Sequence, residues 1–251
     1  LDLGAEETDS LTELVENCDA ILLCLSDAAA VESVVFGPGG IAESGDEEQV
    51  LVDLSTIGPG ATRRMAQALE SACGMAWIDA PVSGGPDGAA NGTLTIMAGG
   101  FEEAFDRILP VLECLGQNIT RLGPTGSGQL AKVCNQVMVC GGALLVAEAI
   151  ALAERAGMDA EILPEALAGG LADTPLLRLL GPRMAVRSYE PVLARLGTMQ
   201  KDLDAVLAVA READVALPLS ALAAELVRQH RARAGDESDA ASVIELYNPE
   251  S

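Results

Sequence analysis

Only two lysines occur in the 251 residues, and each sits in a short polar segment where an ammonium could serve chemistry. Lys132 lies in Gly126-Ser127-Gly128-Gln129-Leu130-Ala131-Lys132-Val133-Cys134-Asn135-Gln136, which opens a long apolar helical pattern. Lys201 lies in Gln200-Lys201-Asp202-Leu203, near the start of another. The other 13 basic residues are all Arg. Arg keeps its proton throughout the neutral range, whereas a desolvated Lys releases one. A bias against Lys that breaks at two places points to a need for an ammonium there. Taken alone, the spacing fits equally a Lys132 that snorkels along its helix and a Lys201 that is a surface charge.

A second candidate is the loop Ala80-Pro81-Val82-Ser83-Gly84-Gly85. Its glycines let main-chain N–H groups turn toward a ligand, and Ser83 adds a hydroxyl, a nest suited to a carboxylate or phosphate. By itself the loop fits an ordinary Gly-rich turn better. The six cysteines (Cys18, Cys24, Cys73, Cys114, Cys134, Cys140) show no CxxC, and His230 is the one histidine. A metal site and a Ser-His catalytic pair are therefore not expected. Most of the cysteines lie in apolar stretches and read as small buried residues in a reducing cytosol.

These residues need elements to position them. Apolar runs at residues 20–25, 50–54, 76–80 and 94–98 read as strands, with a last short one at 118–122. Helical patterns fall between them, around 28–35, 59–72 and 101–115, and Pro59 suits a first helical turn. Such alternation implies a mostly parallel sheet covered on both faces, with ligands at the carboxyl ends of the strands. Leu25-Ser26-Asp27, Ser55-Thr56 and the loop to Gly85 sit at those ends. From residue 128 onward the patterns are helical: 128–156, 160–168, 174–184, 198–213 and 217–234. The stretch 236–251 reads as a tail with one more short helix. The organisation expected is an α/β domain over 1–125 and an all-α domain over 126–251, joined by a long helix.

Composition narrows the partners. The net charge is −23 and the only aromatics are Phe36, Trp77, Phe101, Phe105, Tyr189 and Tyr247, which argues against nucleic acid. The same charge is repelled by an anionic membrane surface. The longest apolar run, Val137 to Ala147, is too short to span a bilayer. No signal-peptide pattern opens the sequence, so a cytoplasmic location is expected. Acidic clusters such as Glu43 to Glu48 and Asp236 to Asp239 read as solvated surface.

Four segments, in this order, carry a resemblance: Asp79-Ala80-Pro81-Val82-Ser83-Gly84-Gly85, Gly92-Thr93-Leu94-Thr95-Ile96-Met97-Ala98-Gly99-Gly100, Gly126 to Gln136, and Lys201-Asp202-Leu203. Together they resemble the β-hydroxyacid dehydrogenases, the family of 3-hydroxyisobutyrate dehydrogenase and tartronate semialdehyde reductase, over essentially the whole chain. Asn135-Gln136 and Gly169-Gly170-Leu171-Ala172 look most like the tartronate semialdehyde branch. The resemblance implies a Rossmann-like domain followed by an all-helical domain of the 6-phosphogluconate dehydrogenase type. It implies hydride transfer between NAD or NADP and a small carboxylate bearing a β-hydroxyl or aldehyde. Lys132 would be the general acid/base, in keeping with an ammonium on an apolar helix whose proton affinity is lowered. Ser83, Gly84 and Gly85, with Asn135 and Gln136, would bind substrate; Leu25, Ser26, Thr56, Lys201 and Asp202 would line the cofactor. Many relatives have Asn where Gln136 stands, Pro where Ser26 stands, and His where Met199 stands.

Leu1-Asp2-Leu3-Gly4-Ala5 matches the family just after its first strand-GxGxxG-helix-strand unit, and no GxGxxG follows a strand here. Either these residues are part of a longer product, or the chain binds dinucleotide poorly. The resemblance favours the longer product, with on the order of three dozen more residues that carry the pyrophosphate cradle and the choice between NAD and NADP. Two other readings share the architecture, a non-catalytic relative acting as a binding module and an imine reductase. Lys132 counts against both, while an absent pyrophosphate cradle, were the sequence truly truncated, counts for the binding module. The resemblance also implies a homodimer or higher oligomer, for which Ala143 to Ala153 and Leu217 to Val227 offer apolar surface.

Overall fold

The computed structural model describes residues 4–247. In the first unit, Leu1–Lys132, short apolar runs become strands and the patterns between them become helices. The order is α1 (Leu11–Glu16), β1 (Ala20–Leu23), α2 (Ala28–Phe36), α3 (Ile41–Ser44), β2 (Val50–Asp53), α4 (Pro59–Cys73) and β3 (Ala76–Asp79). Then come β4 (Val82–Ser83), α5 (Gly85–Ala90), β5 (Leu94–Ala98), α6 (Glu102–Leu112) and β6 (Gly116–Arg121). Every residue of β2 is buried, as a strand covered on both faces requires. Asp27 caps α2 by accepting the Ala30 N–H, which satisfies a donor the helix cannot. Pro59 starts α4, and Gly74 ends it at φ 79°, a left-handed position that favours Gly.

Strands β1, β2 and β3 are parallel and in register, so Leu23, Asp53 and Asp79 end side by side. Strand β4 runs antiparallel to β5, and β5 pairs with β6 in parallel. An isolated bridge between Asp79 and Gly99 links the two three-stranded sheets. One apolar core, around Val31, Leu51, Leu69 and Trp77, lies under α1 to α4. Another, around Ile78, Ile96, Phe105 and Ile108, lies under α6.

Helix α7 (Ser127–Arg155) runs from the first unit into the second, Val133–Ser251. There follow a 3-10 turn at Ala160–Ile162, α8 (Leu163–Ala166), α9 (Pro175–Ala185), α10 (Leu196–Glu212), α11 (Pro218–Ala234) and a 3-10 helix at Ala240–Leu246. Among the described residues this unit has no strand. The chain is thus an α/β unit followed by an all-helical one, as the change in pattern predicts.

Several local expectations are corrected. The stretch after residue 235 holds the expected short helix, as a 3-10 helix, but it is no mere tail: Ala241, Val243 and Ile244 are fully buried in the helical core. Asp239 is not surface charge. It is buried and accepts the N–H groups of Leu193 and Ala241, with Arg183 at 3.4 Å. Of the cysteines only Cys140 is buried, while Cys24, Cys114 and Cys134 are exposed; membership of an apolar run does not say which side of the element faces the core. Helices α1, α3 and α5 and strand β4 are too short for a periodic signal. Helix α7 is by length and composition apolar enough to cross a membrane, though Val137–Ala147 alone is not, and half of its most apolar stretch is buried in the protein. Leu1 to Leu3, where the family match begins, and the last four residues of the expected tail lie outside the described residues.

Candidate functional site

The carboxyl ends of β1 and β2 carry Leu25, Ser26 and Thr56. The Leu25 N–H donates to Ser55 Oγ at 2.8 Å, and Ser26 Oγ donates to the capping residue Asp27 at 2.9 Å. Thr56 is partly exposed in a turn pinned from α7. Gln129 Nε2 donates to Ser55 O at 2.7 Å, and its Oε1 accepts the Ile57 and Gly58 N–H groups at 3.1 and 3.2 Å. Sequence reasoning gave Gln129 no role. Its one signal is a carboxamide in the first turn of an apolar helix, and it is fully buried.

Behind this edge lie two fully buried carboxylates, Asp53 and Asp79, aligned across β2 and β3. Burial pushes Asp53 up to about 6, against the bonds from Ser55 that lower it, and neighbouring Asp79 adds to the rise. Asp53 Oδ2 is buried without a hydrogen-bond partner. Burial also raises Asp79, opposed by main-chain N–H donors from Gly126, Gln129 and Gly128.

Ser83 lies half-buried in β4, opposite Thr95. Gly84 and Gly85 follow at φ 132° and 65°, and a Cβ on Gly84 would stand 3.2 Å from Leu94 Cδ2. Both positions need Gly for their backbone. Lys132 Nζ donates to Val82 O at 2.8 Å, so the ammonium is held at the residue before Ser83. In the second unit, Asn135 Nδ2 donates to Gln136 Oε1 at 2.8 Å, and Gln136 Nε2 donates to Asp202 Oδ2. Lys201 Nζ stands 4.0 Å from Asp202 Oδ1, and the Lys201 side chain is 43% exposed. The candidates therefore gather in three groups: the β1–β2 edge, Lys132 with the Ser83 loop, and the Asn135–Gln136–Asp202 chain with Lys201. Among the described residues, no group of three His, Cys, Asp or Glu could hold a metal. A cavity of about 280 Å³ lined by Arg63, Gln67, Trp77 and Phe101 holds none of the candidates.

Two family models match in sequence. Residues 1–123 match the NAD binding domain of 6-phosphogluconate dehydrogenase, and residues 126–247 match the NAD-binding of NADP-dependent 3-hydroxyisobutyrate dehydrogenase. The 2-hydroxy-3-oxopropionate reductase of Escherichia coli is 37% identical over 245 residues, covering 98% of this chain and 83% of the relative. The 3-hydroxyisobutyrate dehydrogenase of Pseudomonas aeruginosa is 36% identical over 254 residues, covering 97% and 84%. The chain belongs to the β-hydroxyacid dehydrogenase family.

A solved 3-hydroxyisobutyrate dehydrogenase of Mycobacterium tuberculosis with L-serine superposes with a TM-score of 0.85 at 28% identity, covering 96% of this chain and 83% of that one. As a β-hydroxyacid dehydrogenase the protein is an oxidoreductase, with a Rossmann-like NAD(P)-binding domain ahead of a helical domain.

Proposed function

We propose that this enzyme interconverts a short β-hydroxyacid and its semialdehyde with Lys132 as general acid/base. The observation that carries this reading is the Lys132 ammonium, held 2.8 Å from Val82 O beside Ser83, Gly84 and Gly85. The turns at Leu25–Ser26 and Thr56 fit a nicotinamide cofactor. They are partly exposed, polar, held by defined hydrogen bonds, and sited at the carboxyl ends of parallel strands. When bound, the cofactor gives or takes the hydride. Lys132 donates a proton to the substrate oxygen as the carbonyl is reduced and removes it in the reverse direction; until then its charge stabilises the developing alkoxide. The Ser83 hydroxyl and the main-chain N–H groups of Gly84 and Gly85 hold the substrate carboxylate.

Asn135 and Gln136 follow Lys132 by three and four residues, on the same side of α7, and bind substrate oxygens. Asp202 holds the Gln136 amide and, through it, Asn135; Lys201 and Asp202 serve the cofactor. The candidate substrates are 3-hydroxyisobutyrate and tartronate semialdehyde (2-hydroxy-3-oxopropionate), for which relatives are named, together with succinic semialdehyde and glyoxylate as further short aldehydes bearing a carboxylate. The enzyme works in the cytoplasm as a homodimer or higher oligomer, with neither nucleic acid nor membrane as partner.

The test follows the absorbance of reduced nicotinamide with the full-length protein, NADH or NADPH, and the three aldehydes. Oxidation with one aldehyde is expected, and folded protein inert to all of them overturns the substrate class. Lys132→Ala is expected to lower kcat by about a hundredfold or more, and a value within about threefold of wild type removes the general acid/base role.

A further inference from the structure

Helix α7 opens without a capping side chain of its own. Gly126 precedes it, and the Leu130 N–H donates to the Gly126 carbonyl at 3.0 Å. The free N–H groups of a helix start need partners, above all when buried. Asp79 supplies them from the end of β3: Oδ1 accepts the Gly126 N–H at 2.7 Å and Oδ2 accepts the Gln129 N–H at 2.8 Å. The seat leaves no slack. A Cβ on Gly128 would stand 2.2 Å from Met97 O, and one on Gly99 would stand 2.7 Å from Asp79 Oδ1.

From this seat two side chains reach outward. Gln129 grips the Ser55–Gly58 turn through three hydrogen bonds. Lys132, three residues later, bonds Val82 O, itself three residues after Asp79. One carboxylate and one carboxamide thus tie together the Thr56 turn, the strand end leading to Ser83, and the helix turn that carries Lys132.

We propose that Asp79 and Gln129 are positioning residues for the reaction, holding the start of α7 so that the Lys132 ammonium stays at the Ser83 loop. This rests on Lys132 being the general acid/base. A proton donor must stand within hydrogen-bond reach of the reacting oxygen, and a displacement of about 1 Å costs on the order of a hundredfold in rate. Asp79→Asn keeps the shape but turns one acceptor into a donor that faces a main-chain N–H. Gln129→Met keeps the length and removes all three bonds to the turn.

The test is a double-mutant cycle in the full-length protein: wild type, Asp79→Asn, Lys132→Ala and the pair, each confirmed folded by circular dichroism. Asp79→Asn is expected to lower kcat by about tenfold or more with Lys132 present, and by less than about threefold in the Lys132→Ala background. A merely structural residue lowers kcat by the same factor in both backgrounds, and that result overturns the proposal. A second readout needs neither cofactor nor turnover. Peptide mapping by mass spectrometry reads the rate of Lys132 acylation relative to Lys201 directly. The ratio is expected to rise severalfold in Asp79→Asn, and an unchanged ratio also overturns the proposal. If Lys132→Ala alone keeps wild-type turnover, the acid/base reading fails, while the labelling ratio still decides whether Asp79 places the ammonium. Should Asp79→Asn not fold, Gln129→Met takes its place in both experiments with the same deciding outcomes.

Discussion

A buried carboxylate with one oxygen unpartnered destabilises the fold whenever it carries charge, and Asp53 is in that position. Folded, it keeps its proton to about 6, against 3.8 in the ordinary case. Between those values the native state binds more protons than the unfolded chain, so stability falls as pH rises through that window and stays lower above it. The displacement corresponds to about 3 kcal/mol at most. Asp53→Asn is therefore expected to raise Tm at neutral pH and to flatten the fall, as measured by thermal unfolding across the window; an unaltered pH profile would refute this. The sequence placed Asp53 in a strand but held no sign that Asp79 would lie beside it, because strand register comes from pairing across the sheet.

At the scale of elements, the start of α7 depends on close approach. Gly128→Ala would place a methyl group 2.2 Å from Met97 O, so β5 or the helix start must shift. A loss of roughly 1–3 kcal/mol is expected, read by chemical denaturation, together with lower turnover because Lys132 moves with the helix. A fully stable Gly128→Ala would show that the seat tolerates displacement. The helix itself was legible from its apolar pattern, within a residue at each end. Its cap was not, because the carboxylate that supplies it lies about 50 residues away.

For the whole molecule, the helical unit leaves apolar side chains in the open. Met138, Leu145 and Leu152 recur every seven residues on α7, at 70%, 66% and 71% exposure. That spacing puts them on one side of the helix, where Ala147 and Ile150 face the core instead. If this side mediates self-association, Leu145→Asp with Leu152→Asp shifts the protein to monomer in size-exclusion chromatography with light scattering. A wild type that is monomeric at working concentration would remove the oligomer from the reading.

Residue order alone determined the α/β-then-helical organisation, because hydrophobic period is a local property: short apolar runs make β2 and β5, and long helical patterns make α7 and α10. It also singled out Lys132, as one of only two lysines, and Ser83-Gly84-Gly85, through Gly84 and Gly85, both of which take positive φ in the fold. Only the tertiary structure decided that Asp79 caps α7, that Gln129 grips the Thr56 turn, that Asp202 holds Gln136, and that Asp239 is buried. Each of these joins groups distant along the chain through hydrogen bonds, and no short-range pattern encodes which donor will meet which acceptor once the layers have packed.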